Sequence, residues 1–341
     1  MNGLHYNYVI FNSIDNKLRY TPNGYYTICM KDLDDVDGVN CINVPLSHLP
    51  FWVRYIYNAH HSSRLNIVSL PFKNLWYPFY FKNTFKNDKP VCFIVLDRVP
   101  IDYLHYLKNK YPNSKFVILY RDLRMITERL YPKHPDNPIF DLQMTIDENE
   151  AIKFGWKHFE EFESKIQVSI SKDYPLSDVF FAGKGKDRLS KLLKAYEILT
   201  HAGLKCSYYL THVPESERIE LPGVEYADRF MSYSQMLYHT VNSRCVLEIN
   251  QEGAVGYTSR FLEAVMFNKR LITNNQAVKK SKFYSSGNIQ CVSDICEISP
   301  DFVANVSTVD YNYKDEFSPI HLVEMVDKEP VSYTHLRAHE T

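Results

Sequence analysis

The chain has 341 residues, 45% of them hydrophobic and 23% charged, with a formal net charge of −1. That length suits two ordinary domains better than one and leaves room for a substantial core. The near-neutral balance argues against nucleic acid as a partner, so any anion site has to be local.

The opening "MNGLHYNYVIFNS" lacks the basic start and apolar stretch of a secretory leader. No apolar run approaches the roughly 18 residues of a membrane helix. The seven cysteines are scattered, several inside apolar runs such as "VCFIVL" and "RCVLEI". Reduced, buried thiols in a cytoplasmic protein are expected, with peripheral contact at the inner face of the membrane the only membrane relation allowed. Cys291 and Cys296 have no histidine nearby, so no zinc site is expected. Residues 331–341, "VSYTHLRAHET", read as the in-frame translation of a transposase adapter used in sequencing libraries. They are set aside as an artefactual tail. The natural chain is expected to continue past Pro330.

In chain order, "YNYVIFN" (6–12) predicts a strand and "PLSHLPFWVRYIYNAHH" (45–61) a helix. "PVCFIVLD" (90–97), "IDYLHYLKNKYP" (101–112) and "KFVILYRD" (115–122) predict strand, helix, strand. Buried apolar strands alternating with helices indicate a parallel sheet covered on both faces. From 140 the pattern changes: "FDLQMTIDENEAIKFGWKHFEEFESKI" reads as a strand, an acidic turn and a short helix into Gly155. The polar "SISKDYPLS" follows. The alternation then restarts with "SDVFFAG" (177–183), an amphipathic helix over 186–203 ended by Gly203, and the strand "KCSYYLT". The helix "SYSQMLYHTVNS", strand "RCVLEIN", helix "TSRFLEAVMFN" and strand "RLITN" complete it. The expected organisation is an N-terminal Rossmann-like domain over 1–150, a linker over 151–176 and a C-terminal Rossmann-like domain over 177–330.

Several constellations could carry chemistry. "DLDDVDG" (Asp32–Gly38) contains D-x-D triplets of the kind that hold a divalent cation, but a solvated acidic turn is the preferred reading. His60 and His61 end a predicted helix, where a cap is the plainer role and a general base the sharper one. Asp97 and Asp122 each follow a strand end, where a base or a helix cap fits equally.

In "FAGKGKDRL" a strand ends at Gly183 and a helix starts near Asp187, with Lys184, Gly185 and Lys186 between and Arg188 just inside. Small residues let backbone N–H groups approach an anion and the lysines add charge, although neither a Walker motif nor a dinucleotide fingerprint is present. "QEGAVGYTSRFLEAV" carries more. Gly253 and Gly256 relax the loop after a strand, and Thr258 or Ser259 is a natural N-cap. Free N–H groups and Arg260 would then make an anion site, with Glu263 one turn on as an acceptor for hydroxyls. The plainer reading makes Glu263 a surface i,i+3 partner of Arg260. The apolar Phe261, Leu262, Ala264 and Val265 argue instead for a buried helix whose polar residues face a cleft.

These residues bring a resemblance into view. The basic loop and "GYTSRFLEAVMFNKRLITNN" resemble the C-terminal half of GT-B glycosyltransferases, in particular the bacterial group of capsule and lipopolysaccharide synthesis. "FDLQMTIDENEAIKFGWKHFEEFESKI" resembles the stretch before that group's donor domain. The likeness spans roughly 140–275, and the first 130 residues share only the pattern. It implies two Rossmann-like domains with parallel sheets facing across a cleft. The nucleotide-diphosphate sugar would bind the C-terminal half without a metal or other cofactor, and a saccharide or lipid-linked acceptor the N-terminal half. By that match Glu263 falls on the ribose-binding glutamate. Arg260 and the turn Gly256, Tyr257, Thr258 and Ser259 fall near the diphosphate. Gly183, Lys184 and Lys186 form the basic loop facing the leaving group. Many retaining members place a second glutamate where this chain has Val255, and Glu252 is out of register, so the retaining or inverting outcome stays open. A nucleotide-sugar 2-epimerase of the same architecture and a non-catalytic binding or scaffold protein remain the alternatives.

Overall fold

The computed structural model describes residues 3–12, 24–42, 50–60, 71–96, 99–130, 132–251 and 256–329. The chain divides into two compact units. The first holds residues up to Glu160, except 23–25, and takes the chain back from Ser318; the second holds Glu161–Phe317 with residues 23–25.

In the first unit the strands β1 (Asn7–Phe11), β2 (Val39–Ile42), β3 (Val91–Val95), β4 (Lys115–Tyr120), β5 (Leu142–Thr145) and β6 (Lys157–His158) form one sheet in the order β2-β1-β3-β4-β5-β6. Every pairing is parallel. β1, β3 and β4 are buried along their whole length, which is why they read as unbroken apolar runs rather than alternating ones. The helix Ile101–Lys110 turns Tyr103, Leu104 and Leu107 inward. Asp147 caps the helix Glu148–Phe154 by accepting from the Glu150 N–H, and Gly155, at φ +69°, ends it.

The domain limits differ from the expectation in two places. The first unit runs ten residues past 150, because β6 adds to its sheet at Met144↔Lys157 and Thr145↔His158. The helix Ile320–Lys328, expected in the second half, packs in the first. His5 and Tyr8 both hydrogen-bond the Asp327 carboxylate. Lys115, only 2% exposed, donates from Nζ to the carbonyls of Val326 and Glu329 at 3.0 and 2.7 Å. An ammonium at a helix C-terminus satisfies carbonyls the helix itself cannot. Lys115→Met is therefore expected to lower the unfolding free energy by about 1–3 kcal/mol. The change should appear as a lower urea midpoint with an unchanged slope; an unaltered midpoint would mean that the last helix is held by apolar packing alone.

In the second unit β7 (Ser177–Lys184), β8 (Cys206–Thr211), β9 (Val224–Ala227), β10 (Ser243–Glu248), β11 (Arg270–Thr273) and β12 (Ile289–Cys291) form the order β12-β11-β10-β7-β8-β9. All pairs are again parallel. Counted from its first strand this is 3-2-1-4-5-6, the order of dinucleotide-binding folds, and the direction reverses between β7 and β10. The predicted helices lie where the sequence put them. Leu189–His201 buries Leu189, Leu192, Tyr196 and Leu199, and Ser232 opens Tyr233–Val241 with a reciprocal capping box to Gln235. The expected α/β class, two Rossmann-like units in one chain, is the architecture observed.

Candidate functional site

Ligands of open parallel sheets gather beyond the carboxyl ends of the strands, where the order reverses. In the second unit that place is the gap between Lys184 of β7 and Glu248 of β10, and the side chain that spans it is Arg188. Its Nε donates to the Lys184 carbonyl at 2.8 Å and its Nη1 to the Ile249 carbonyl. The guanidinium lies against the Gly183 backbone: a Cβ there would stand 2.7 Å from Nη2. Glycine at 183 thus makes room for a cation, not for a turn. Burial, and next the charge of Arg260, lower the Arg188 pKa to about 10, so it stays charged at neutral pH. No carboxylate within ion-pair distance of Arg188 occurs among the described residues.

Across the gap, Glu248 is 2% exposed at the end of β10. Its carboxylate accepts from the hydroxyls of Thr258 and Thr273. Burial raises its pKa, against the opposing hydrogen bonds. The carboxylate therefore ties the loop after β10 to the end of β11. Thr258 is the N-cap: its Oγ1 accepts the Arg260 N–H at 3.2 Å. Gly256 has φ +73°, a conformation costly for other residues, and its carbonyl accepts from Asn275 Nδ2 at 2.9 Å. Ser259–Met266 is a helix whose residues from Phe261 onward are buried.

Glu263 is fully buried. Its Oε2 pairs with Arg260 Nη1, and Oε1 has no hydrogen-bond partner. Burial raises its pKa, and Arg260 opposes that rise. The i,i+3 pair of the plainer reading exists, but it is a buried pair and half of the carboxylate's acceptor capacity is unused. Tyr257 packs its ring 4.8 Å from Phe261.

The basic loop is split. Lys184 is half-buried with Nζ 5.5 Å from the centre of the Phe230 ring. Lys186 is exposed, at φ +41°. A non-glycine residue held in the left-handed region marks a loop whose shape is fixed by its surroundings. Here the Gly185 N–H donates to the Thr211 carbonyl at 2.9 Å, and a Cβ on Gly185 would meet Val213 at 2.5 Å. Phe230, 38% exposed, stands with His212 5.3 Å away on its other contact.

No family model matches this chain, and no curated protein matches it. Among solved structures it is similar to the UDP-GlcNAc 2-epimerase of Neisseria meningitidis bound to UDP-GlcNAc, with 11% identity over 94% of this chain and 97% of that one and a TM-score of 0.48. The UDP-GlcNAc 2-epimerase of Methanocaldococcus jannaschii gives 12% identity, 94% and 97% coverage and a TM-score of 0.45. The glycotransferase of kitacinnamycin gives 11%, 95% and 92%, and 0.42.

The N-terminal candidates are not assembled in the same way. Asp122 is exposed, and the helix it precedes, Arg124–Leu130, is capped by another residue: the Glu150 carboxylate accepts the Arg124 N–H at 2.8 and 3.0 Å. His60 ends the helix Phe51–His60, while His61 and Asp97 lie outside the described residues. In the acidic turn, Asp32 accepts from Ser318 at 2.6 Å and Asp34 pairs with Lys31 at 2.5 Å, as suits a structural loop.

Gly183→Ala tests the site. The added Cβ meets side chains and not backbone, the Arg188 guanidinium at 2.7 Å and the Phe181 ring at 3.2 Å, so stability should fall by about 1–3 kcal/mol. Displacing the Arg188 guanidinium should still weaken UDP binding about tenfold by calorimetry. Unchanged affinity would place Arg188 away from the ligand.

Proposed function

We propose that the protein is a GT-B-type glycosyltransferase that moves a sugar from a nucleotide-diphosphate donor to a saccharide or lipid-linked acceptor in cell-surface polysaccharide synthesis. The observation that carries the donor site is Glu263, a fully buried carboxylate with one oxygen on Arg260 and the other unpartnered. Burying an anion in this way is costly unless something completes it. A ribose diol would do so, once the side chains covering Glu263 give way. The diphosphate then falls beside the first turn of Ser259–Met266, whose N–H groups lack intrahelical partners.

Arg260 and Arg188 supply the full charges, and Lys184 and Lys186 stand on the adjoining loop. As the glycosidic bond to the sugar breaks, negative charge grows on the diphosphate. Donors fixed in advance at that place stabilise the transition state more than the ground state. Phe230 offers a partly exposed ring beside them on which a base can stack. The base that deprotonates the acceptor belongs to the first unit on this reading, with His60, His61, Asp97 and Asp122 as candidates. Work at the inner face of the membrane suits a lipid-linked acceptor. Among the described residues no helix is long and apolar enough to cross a membrane.

The test is incubation with UDP-sugars, GDP-sugars and dTDP-sugars, with and without saccharide or lipid-phosphate acceptors. Nucleoside diphosphate released only with an acceptor supports the transferase. Conversion of a UDP-sugar to its 2-epimer without acceptor makes the protein an epimerase instead. Nucleotide binding without turnover across the panel leaves a binding protein.

A further inference from the structure

The amino edge of the second sheet holds a cavity of about 670 Å³. Its walls come from residues at or just before the starts of β7, β8, β10 and β11, closed by Ile170 and by Asn305, Val306, Ser307 and Val309. β7 runs eight residues from this edge to Lys184, so the cavity lies about 23 Å from the site described above. Its charge is unbalanced. Lys205, Arg244, Lys269 and Arg270 line it against one carboxylate, Asp178, in a chain whose net charge is −1.

Asp178 is already engaged. It accepts the Lys205 N–H at 2.8 Å and stands 3.4 Å from Arg244. Among the described residues the two innermost cations have only neutral partners. Lys269 donates to the Val241 carbonyl at 2.6 Å. Arg270, 5% exposed, donates to the Ser307 carbonyl and hydroxyl at 3.1 and 2.7 Å. Burial alone pushes the Lys269 ammonium down to about 8. Two desolvated cations with no counter-charge among the described residues are costly to a fold, and an anion bound in the cavity beside them recovers that cost. The rim is apolar: Ile170, Leu176 and Val306 are 69%, 69% and 87% exposed.

We infer that this cavity is a second anion site, separate from the donor site, which takes a phosphate group with Lys269, Arg270 and Arg244. Phosphate is favoured over a carboxylate because four cationic side chains line the one cavity, more than one carboxylate can engage. The group can belong to a soluble phosphorylated molecule or to an anionic lipid headgroup whose chains meet the aliphatic rim.

Pyridoxal 5′-phosphate joins a phosphate to an aldehyde and condenses with a nearby amine, losing water; borohydride then fixes the adduct for peptide mapping. On the full chain, Lys269 should be labelled at least tenfold faster than the exposed Lys191, and excess inorganic pyrophosphate should protect it. Arg244→Glu, an exposed position outside the donor site, should slow Lys269 labelling about tenfold and leave Lys184 labelling unchanged. Sedimentation with phosphatidic acid vesicles, against phosphatidylcholine vesicles, separates the sources. Protection by pyrophosphate without vesicle binding assigns a soluble phosphate, and vesicle binding lost in Arg244→Glu assigns a lipid headgroup. Labelling of Lys269 no faster than Lys191, or protection by neither pyrophosphate nor vesicles, overturns the site.

Discussion

Replacing Arg188 with methionine is expected to weaken UDP binding by about 10- to 150-fold while changing uridine binding little, since a hydrogen bond to a charged group is worth about 1.5–3 kcal/mol. The guanidinium has five N–H donors. One meets Lys184 O and one meets Ile249 O; the rest have no hydrogen-bond partner among the described residues and, on the proposed function, would serve a ligand at the switch point. Methionine keeps the unbranched stem of the side chain but not the guanidinium, whose carbon lies 5.2 Å from the centre of the Phe181 ring. It loses the charge and the tie between β7 and β10, so some stability goes with the affinity. Arg188→Lys separates the two effects. A lysine restores a charge but cannot span both carbonyls, because it lacks the planar fork. It should recover part of the UDP affinity and little of the stability. Equal losses for UDP and uridine would show that Arg188 acts only as a strut between strands, and no loss for either would remove it from the site.

Why Arg188 is hard to read from sequence explains much of what sequence can show here. The strands β1, β3, β4, β7 and β10 declare themselves because burial on both faces demands unbroken apolar runs. Caps and helix ends at Asp147, Gly155, Thr258 and Gly203 are local chemistry, so they are legible too. "FAGKGKDRL" shows its lysines, and those drew the functional reading. Yet the residue that bridges the switch point is the arginine four positions after Lys184, facing a carbonyl 61 residues away. No periodicity encodes that contact.

Glu248 left a fainter trace: an acid inside "RCVLEIN", flanked directly by the apolar Leu247 and Ile249. A buried acid at the carboxyl end of a strand must have partners, and its partners Thr258 and Thr273 were visible only once β10 and β11 were side by side. The return of Ile320–Lys328 to the first unit is a third case. Its apolar face fits any sheet, and it is the contacts of His5, Tyr8 and the buried Lys115 that show which one it covers.

Glu263→Gln should separate function from stability in opposite directions. The unpartnered Oε1 makes the carboxylate a poor occupant of a buried position when no ligand is bound. Burial raises its pKa in the folded chain above the unfolded value of about 4.3. Folding therefore favours the protonated form. Its contribution to stability is fully present below the unfolded pKa and is lost as pH rises through the folded one. Glutamine carries no charge to desolvate. The variant should be more stable than wild type at neutral pH, by on the order of 1 kcal/mol or about 2–4 °C in melting temperature, and the gain should shrink as pH falls toward 4. Glu248, also raised by burial, keeps a slope of the same sign in both proteins, so only the difference between them reports on Glu263.

Nucleotide binding should move the other way. If the ribose hydroxyls donate to Glu263, loss of a charge-assisted acceptor weakens UDP by about 10- to 150-fold. A 2′,3′-dideoxy nucleotide lacks those hydroxyls and should bind wild type and variant about equally. A variant that is more stable and still binds UDP as tightly as wild type would reduce Glu263 to a buried partner of Arg260, and the donor site would have to be sought elsewhere along the carboxyl edge of the sheet.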